Sequence, residues 1–504
     1  MKGKLAALAL LALPGHAQTP LSAIDWLSQN PPGEAAPGPD EPLTAQTVAI
    51  PSVTVAPLED PATRRLGLVP GRVTGLPETI WRNADGARVA QKLDRLSTLR
   101  LPAAQSLLYT LVLSEALPPS TGAVELELAR IDTLIRQGAL DPALALARQA
   151  GPTRNAALFE RFFDAALLAG SEGEACQLLF SDSAPRARYP LQIFCAARSG
   201  DWQTAALLLN AAQGVGDVSD DQAQMLARFL DPELFEDEPA LPIPAQPGAL
   251  EAIMYEAIGT PLDTSALPRV YANLDLRDVA GWKARLEAAE RLAASGALDS
   301  NRLLGIFTSR RPAASGGIWD RVRAIQRFET ALRSGSAEAV GKTLPPALEA
   351  AQQGQFIVPL ADLFAERVLA APPAGSAGAI AAFNFVLLSG RYEQAPKAFP
   401  APARADPLAV AIAEGRALDT TLEDPLRNAL REGFAAAKAD PATLDLARRG
   451  ALGPAILDTL VALDQGARGD LRMLSQALAT LRALGLEDTA RRAALQILLL
   501  GPAW

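Results

Sequence analysis

One histidine, two cysteines and an aromatic content of only 5% mark this chain of 504 residues. The scarcity of histidine bears most directly on chemistry. The single one, His16, falls in a stretch laid out as a secretory signal peptide over residues 1–17: a basic start with Lys2 and Lys4, an apolar run over 5–13, and a small-x-small site, Gly15-His16-Ala17, before Gln18. Cleavage near Ala17 leaves an expected mature chain without histidine. That excludes His-ligated zinc, Ser-His-Asp and Cys-His catalysis and imidazole-based pH switches. Long apolar runs are missing too. Nine residues are too few to span a bilayer, and no later stretch holds 18 uninterrupted apolar residues, so no transmembrane segment is expected. No cysteine follows the apolar run, which argues against a lipid anchor. The expected location is the periplasm or the medium. Basic runs are also absent. Loss of Lys2 and Lys4 takes 47 basic residues to 45 against 56 acidic, and the net charge from −9 to −11. Such a chain is a poor fit to nucleic acid or to anionic lipid surfaces.

What is abundant is alanine, roughly 100 residues or a fifth of the chain, which favours close-packed helices over sheets. Residues 18–79 stand apart. They carry eleven prolines up to Pro77 and no sustained helical period, and read as an extended or disordered tail. Within it, Ile24 and Leu27 at i and i+3, with Trp26 beside them, make a candidate docking helix, for a partner or for the chain's own folded part. Alternation over 48–55 is strand-like. From residue 80 the apolar spacing is helical, clearest at 129–135, 157–168, 282–292, 322–332 and 471–484, with prolines and glycines mostly between these segments. An acidic, proline-rich joint at 231–248 and a second break at 371–376 predict helical blocks at 80–230, 249–371 and 372–504.

Aligning the glycines between helices brings out a repeat. Gly138, Gly170, Gly200, Gly390 and Gly485 each have an alanine five residues on, at Ala143, Ala175, Ala205, Ala395 and Ala490. Such a glycine ends one helix in a left-handed cap, and the alanine admits a close neighbour to the next. The first two intervals, 32 and 30 residues, correspond to one helical hairpin each. Ser199-Gly200-Asp201-Trp202-Gln203-Thr204-Ala205 and Ser389-Gly390-Arg391-Tyr392-Glu393-Gln394-Ala395 resemble the turn joining helices A and B of tetratricopeptide (TPR) repeats, with Trp202 and Tyr392 as packing residues. The resemblance is best over 125–215 and recurs at 385–400 and 480–500. It departs from the family in lacking the helix-A tryptophan and tyrosine pattern, and Gly296 is followed at the fifth position by Asn301. The resemblance implies an all-α fold, an α-solenoid of helical hairpins that binds peptides or proteins and carries no reaction.

Few residues offer chemistry. Cys176 and Cys195 lie symmetrically about a turn over 181–190, and in an antiparallel hairpin they would sit at equal height, so an exported chain is expected to pair them; two buried free thiols are the alternative. The densest polar cluster runs Arg310, Arg311, Ser315, Gly316, Gly317, Trp319, Arg323 and Arg327. It is a candidate anion or partner patch, or simply a capped helix start with solvated arginines. Glu236-Asp237-Glu238 lie in the proline-rich joint, the wrong place for rigid catalytic carboxylates. No cofactor or metal motif is read. The leading expectation is an exported, non-enzymatic scaffold that binds another envelope protein. The alternatives are a cell-wall enzyme of the superhelical lytic transglycosylase type, against which the absence of any Glu-Ser dipeptide speaks, and an accessory of a flagellar motor or secretion machine.

Overall fold

The computed structural model describes residues 64–501 except 182, 183, 278, 374, 375 and 436. The signal peptide, the Ile24-Trp26-Leu27 segment and the alternation at 48–55 lie outside the described residues. Among those described, the fold is all-α: 25 α-helices joined by short turns and 3-10 segments, with isolated β-bridges and no strand. They fall within a single compact unit.

The glycine and alanine pairs explain much of the helix packing. Gly138, Gly170, Gly200 and Gly485 have φ of 85°, 74°, 85° and 82°, the left-handed conformation that a side chain resists. Gly390 differs from this expectation. It lies outside the left-handed region, and its N–H donates instead to Asp362 Oδ1 at 2.7 Å. All five paired alanines are fully buried, at 0% exposure. Gly450, at φ 80°, and Ala455, also at 0%, form a sixth pair that the alignment missed. The same slot after Gly335 and Gly469 is filled by buried Val340 and Leu474, larger side chains that disguise the pattern in the sequence. Prolines are not wholly confined to turns: Pro345 and Pro346 lie inside helix Ala337–Gln353, whose buried Val340, Leu344 and Ala347 hold it in place.

The expected boundary of the tail at residue 79 falls too late. Leu66 exchanges both backbone hydrogen bonds with Ala116, each at 3.1 Å, and Glu115 N–H donates to Val69 O at 2.8 Å. Leu66, Leu76 and Ile80 join the apolar core. Arg130, 2% exposed, clamps this layer by donating to Val112 O, Leu66 O and Ser114 O at 2.8, 3.0 and 2.8 Å. Proline prevents a regular ladder in this segment, and a buried guanidinium satisfies the carbonyls that are left over.

The two ends of the described chain meet. Helices Gly86–Arg95 and Pro102–Leu113 pack on Leu452–Ala467, and Pro102–Leu113 also packs on Glu487–Leu500. Fully buried Trp81 lies against Gly453, whose N–H donates to Ile80 O at 3.0 Å. Lys92 pairs with Asp458 at 2.6 Å, and Ala103 N–H donates to Gln496 Oε1 at 2.9 Å. Contacts also join the first and middle stretches, where Asn273 Nδ2 donates to Gly138 O at 3.0 Å and Arg269 to Gln137 Oε1 at 2.8 Å. The 231–248 joint is strapped down from its C-terminal side, since the hydroxyls of Tyr255 and Tyr271 donate to Pro242 O and Pro247 O. Cys176 and Cys195 form a disulfide between helices Glu172–Leu179 and Tyr189–Arg198, with Cα atoms 5.3 Å apart.

Candidate ligand-binding cleft

The arginine cluster singled out in the sequence is dispersed by the fold. Gly316 and Gly317, at φ 92° and 53°, lead into helix Ile318–Ser334, whose first N–H groups receive no side-chain cap, and Ser315 is exposed beside them. Arg323 turns back to donate to Ala314 O at 2.6 Å and pairs with Asp320. Arg310, Arg311 and Arg327 face solvent. Trp319 packs on Trp282 with ring centroids 5.2 Å apart, while Trp282 Nε1 donates to Ile306 O at 3.0 Å. The segment is thus a helix start with one internally satisfied arginine and three solvated ones. Of the two turn aromatics expected to pack, Tyr392 is buried and donates to Asp488 Oδ1 at 2.9 Å. Trp202 departs from the expectation: it is 51% exposed and touches only the edge of the core, its ring 6.5 Å from that of Phe229.

A concave site lies elsewhere, on residues that the sequence does not bring together. Where the 64–83 layer crosses the loop at 116–122, a cleft of about 790 Å³ opens, a volume suited to a small ligand or a few residues of a peptide. Its walls are apolar, from Leu66, Leu117, Pro118, Pro119 and Val124. Its charged residues are Arg64, Arg82, Arg130 and Arg154 against Glu127 alone. Three of these guanidinium groups are fixed by backbone carbonyls. Arg130 makes the three bonds given above, Arg154 donates to Ala150 O at 2.8 Å, and Arg64 to Ala150 O at 3.1 Å and to Gln149 O. Arg82 is exposed and has no protein partner among the described residues.

Burial shifts the ionisation of this cluster. It lowers the pKa of Arg130 to about 10, against the pull of Glu127. Burial also raises the pKa of Glu127, which Arg154, Arg64 and Arg130 oppose. Glu127 Oε2 lies 3.5 Å from Arg154, whereas Glu127 Oε1 and Trp81 Nε1, both shielded from water, have no hydrogen-bond partner among the described residues. Helix Ala123–Gln137 starts at the cleft from Gly122, at φ 69°, with no side chain accepting from its first turn. The site therefore presents positive charge, most of it fixed, between apolar walls. In the sequence its arginines are spread over 90 positions, and each one reads as an ordinary surface residue. Pro118-Pro119 and Gly122, interrupting a helical background, were the only local signal.

A second cavity of about 540 Å³ lies where the first, middle and last stretches converge, with Gln105, Tyr109, Asp362 and Arg492 in its lining. Asp362 is held there by the Gly390 N–H and by Arg492 at 3.5 Å, and burial raises its pKa. Asp362 and Arg492 pair with each other, whereas Gln105 Oε1 and Arg492 Nε are buried without a hydrogen-bond partner among the described residues. Among the described residues, no helix is long and apolar enough to cross a membrane. The chain matches no protein-family model, and neither curated proteins nor solved structures show significant similarity to it.

Proposed function

We propose that this protein is an exported, non-enzymatic scaffold of degenerate TPR-like helical hairpins, closed end to end, that binds another protein of the cell envelope. The observation that carries this reading is the open cleft of about 790 Å³, which combines apolar walls with the Arg82 guanidinium, exposed and without a partner among the described residues. Recognition surfaces combine these features, an apolar centre and a charge free to select a partner. The Cys176–Cys195 disulfide supports an oxidising compartment, in keeping with the signal-peptide pattern of residues 1–17. The test is covalent cross-linking in intact cells with the mature protein, followed by identification of the attached chain and its recovery with purified components. Recovery of one defined envelope protein supports the reading. Release of muropeptides when the pure protein is incubated with peptidoglycan would replace it with the wall-enzyme alternative.

A further inference from the structure

The charge and the apolar walls of the cleft narrow the chemistry of what it takes. Four arginines face one glutamate, and three of the four are tethered, so positive charge is fixed in place before any ligand arrives. A ligand carrying an anion meets this charge without reorganising it. Phosphate fits the rest of the cleft poorly. It leaves the walls of Leu117, Pro119 and Val124 uncovered, whereas burial of apolar surface is a main source of affinity in such a cleft. An extended peptide carries apolar side chains together with a backbone whose carbonyls accept from free N–H groups. The apolar walls at Leu117, Pro119 and Val124, the last 42% exposed, would cover apolar side chains on either side of a charged one. A free N-terminal turn at Ala123 adds backbone N–H groups and the positive end of a helix dipole.

We infer that the cleft between residues 64–83 and 116–130 binds an extended segment of a partner protein in which one aspartate or glutamate is flanked by apolar residues, its carboxylate held by Arg82. The inference rests on the scaffold reading above and names that partner's chemistry. The cleft's own glutamate sets the specificity, because it disfavours a second negative charge beside the first.

The experiment uses the mature full chain and a fluorescein-labelled hexapeptide, acetylated and amidated, with one aspartate between leucines. A matched peptide has asparagine in place of aspartate. Anisotropy titration is expected to give saturable binding of the aspartate peptide and binding of the asparagine peptide weaker by about tenfold or more, the loss typical of a charge-assisted pair. Arg82→Glu should abolish the difference between the peptides, and Val124→Asp should weaken both. Both positions are exposed, and unchanged circular dichroism confirms that each variant folds. Equal affinity for the two peptides, absence of binding up to millimolar peptide, or full retention of preference in Arg82→Glu overturns the inference. Displacement of the peptide by millimolar inorganic phosphate overturns it in favour of a simple anion site. Cross-linking separates the two levels: a partner captured equally by wild type and Arg82→Glu sinks this site and leaves the scaffold standing, whereas capture of no defined partner by wild type sinks the scaffold.

Discussion

Replacing Gly453 with alanine tests whether the two ends of the described chain are locked together by packing at Trp81. A methyl group built on Gly453 would lie 2.3 and 2.4 Å from two carbons of the Trp81 ring, against a comfortable carbon–carbon separation of about 3.5–4.0 Å. One of the two must move by more than an ångström. Trp81 is fully buried, so its ring has no open side to turn into, and Gly453 is anchored by its N–H bond to Ile80 O at 3.0 Å. Overpacking of this kind costs about 1–3 kcal/mol. Alanine recovers part of this through helix propensity, up to about 1 kcal/mol in a helix interior and less here, at the second residue of helix Leu452–Ala467. The expected net loss is about 1–2 kcal/mol, read as a lower urea midpoint at unchanged m by circular dichroism. Trp81→Leu, itself destabilising through lost packing, should make Gly453→Ala nearly neutral in the double variant, because the leucine leaves room for the methyl group. A Gly453→Ala protein as stable as wild type, or more stable, would refute the view that this contact limits the approach of the two ends.

Three further outcomes follow from the same structure. The Cys176–Cys195 bridge, with a sequence separation of 19, should leave no titratable thiol in denatured, unreduced protein, and Cys176→Ser should expose one thiol and cost about 3 kcal/mol in the chain-entropy treatment; two titratable thiols in the wild type would contradict this. Arg130→Ala should destabilise by about 3 kcal/mol or more, since three carbonyls lose their donor at about 1 kcal/mol or more each, and Arg130→Lys should not restore it because a lysine lacks the planar fork; full rescue by lysine in thermal unfolding would refute the clamp. Burial pushes the Asp164 carboxyl up to about 6, so its protonated form is favoured in the folded state. The stability associated with that proton is fully present below the unfolded pKa of about 4 and is lost as the pH rises to about 6. Asp164→Asn should therefore gain on the wild type by about 1–3 kcal/mol across that window and hold the gain above it, and parallel stability profiles from pH 4 to 7 would contradict the assignment.

The site shows how far local pattern carries. Arg310 to Arg327 drew attention because its arginines are neighbours in sequence, yet a helix turns successive residues away from one another, and Arg323 is consumed by Ala314 O and Asp320 while Arg327 faces solvent. Arg64, Arg82, Arg130 and Arg154 had no sequence proximity to mark them, and they come together because the 64–83 layer folds across the start of helix Ala123–Gln137. In sequence that layer reads as part of the tail, since prolines at Pro70 and Pro77 suppress helical periodicity. Its order comes from long-range bonds to Ala116, Gln149 and Arg130, which no local window contains.

By itself, the sequence determined the helical class, most turns and the disulfide, because each follows from interactions between residues close along the chain. Alanine-rich 3.6-residue periods make helices, a glycine with positive φ stops them, and two cysteines 19 residues apart, on helices joined by one short segment, come within bridging distance. Tertiary structure alone decided that the first described helices close on the last, that Gly453 must be small, and that a cluster of arginines surrounds a cleft. These depend on pairs such as Ile80 with Gly453, Lys92 with Asp458 and Ala103 with Gln496, hundreds of residues apart. Hydrophobic periodicity specifies that a helix face is buried, but the driving force is non-directional and does not name the partner. The partner is selected by shape and by the few hydrogen bonds that only the assembled core brings within reach.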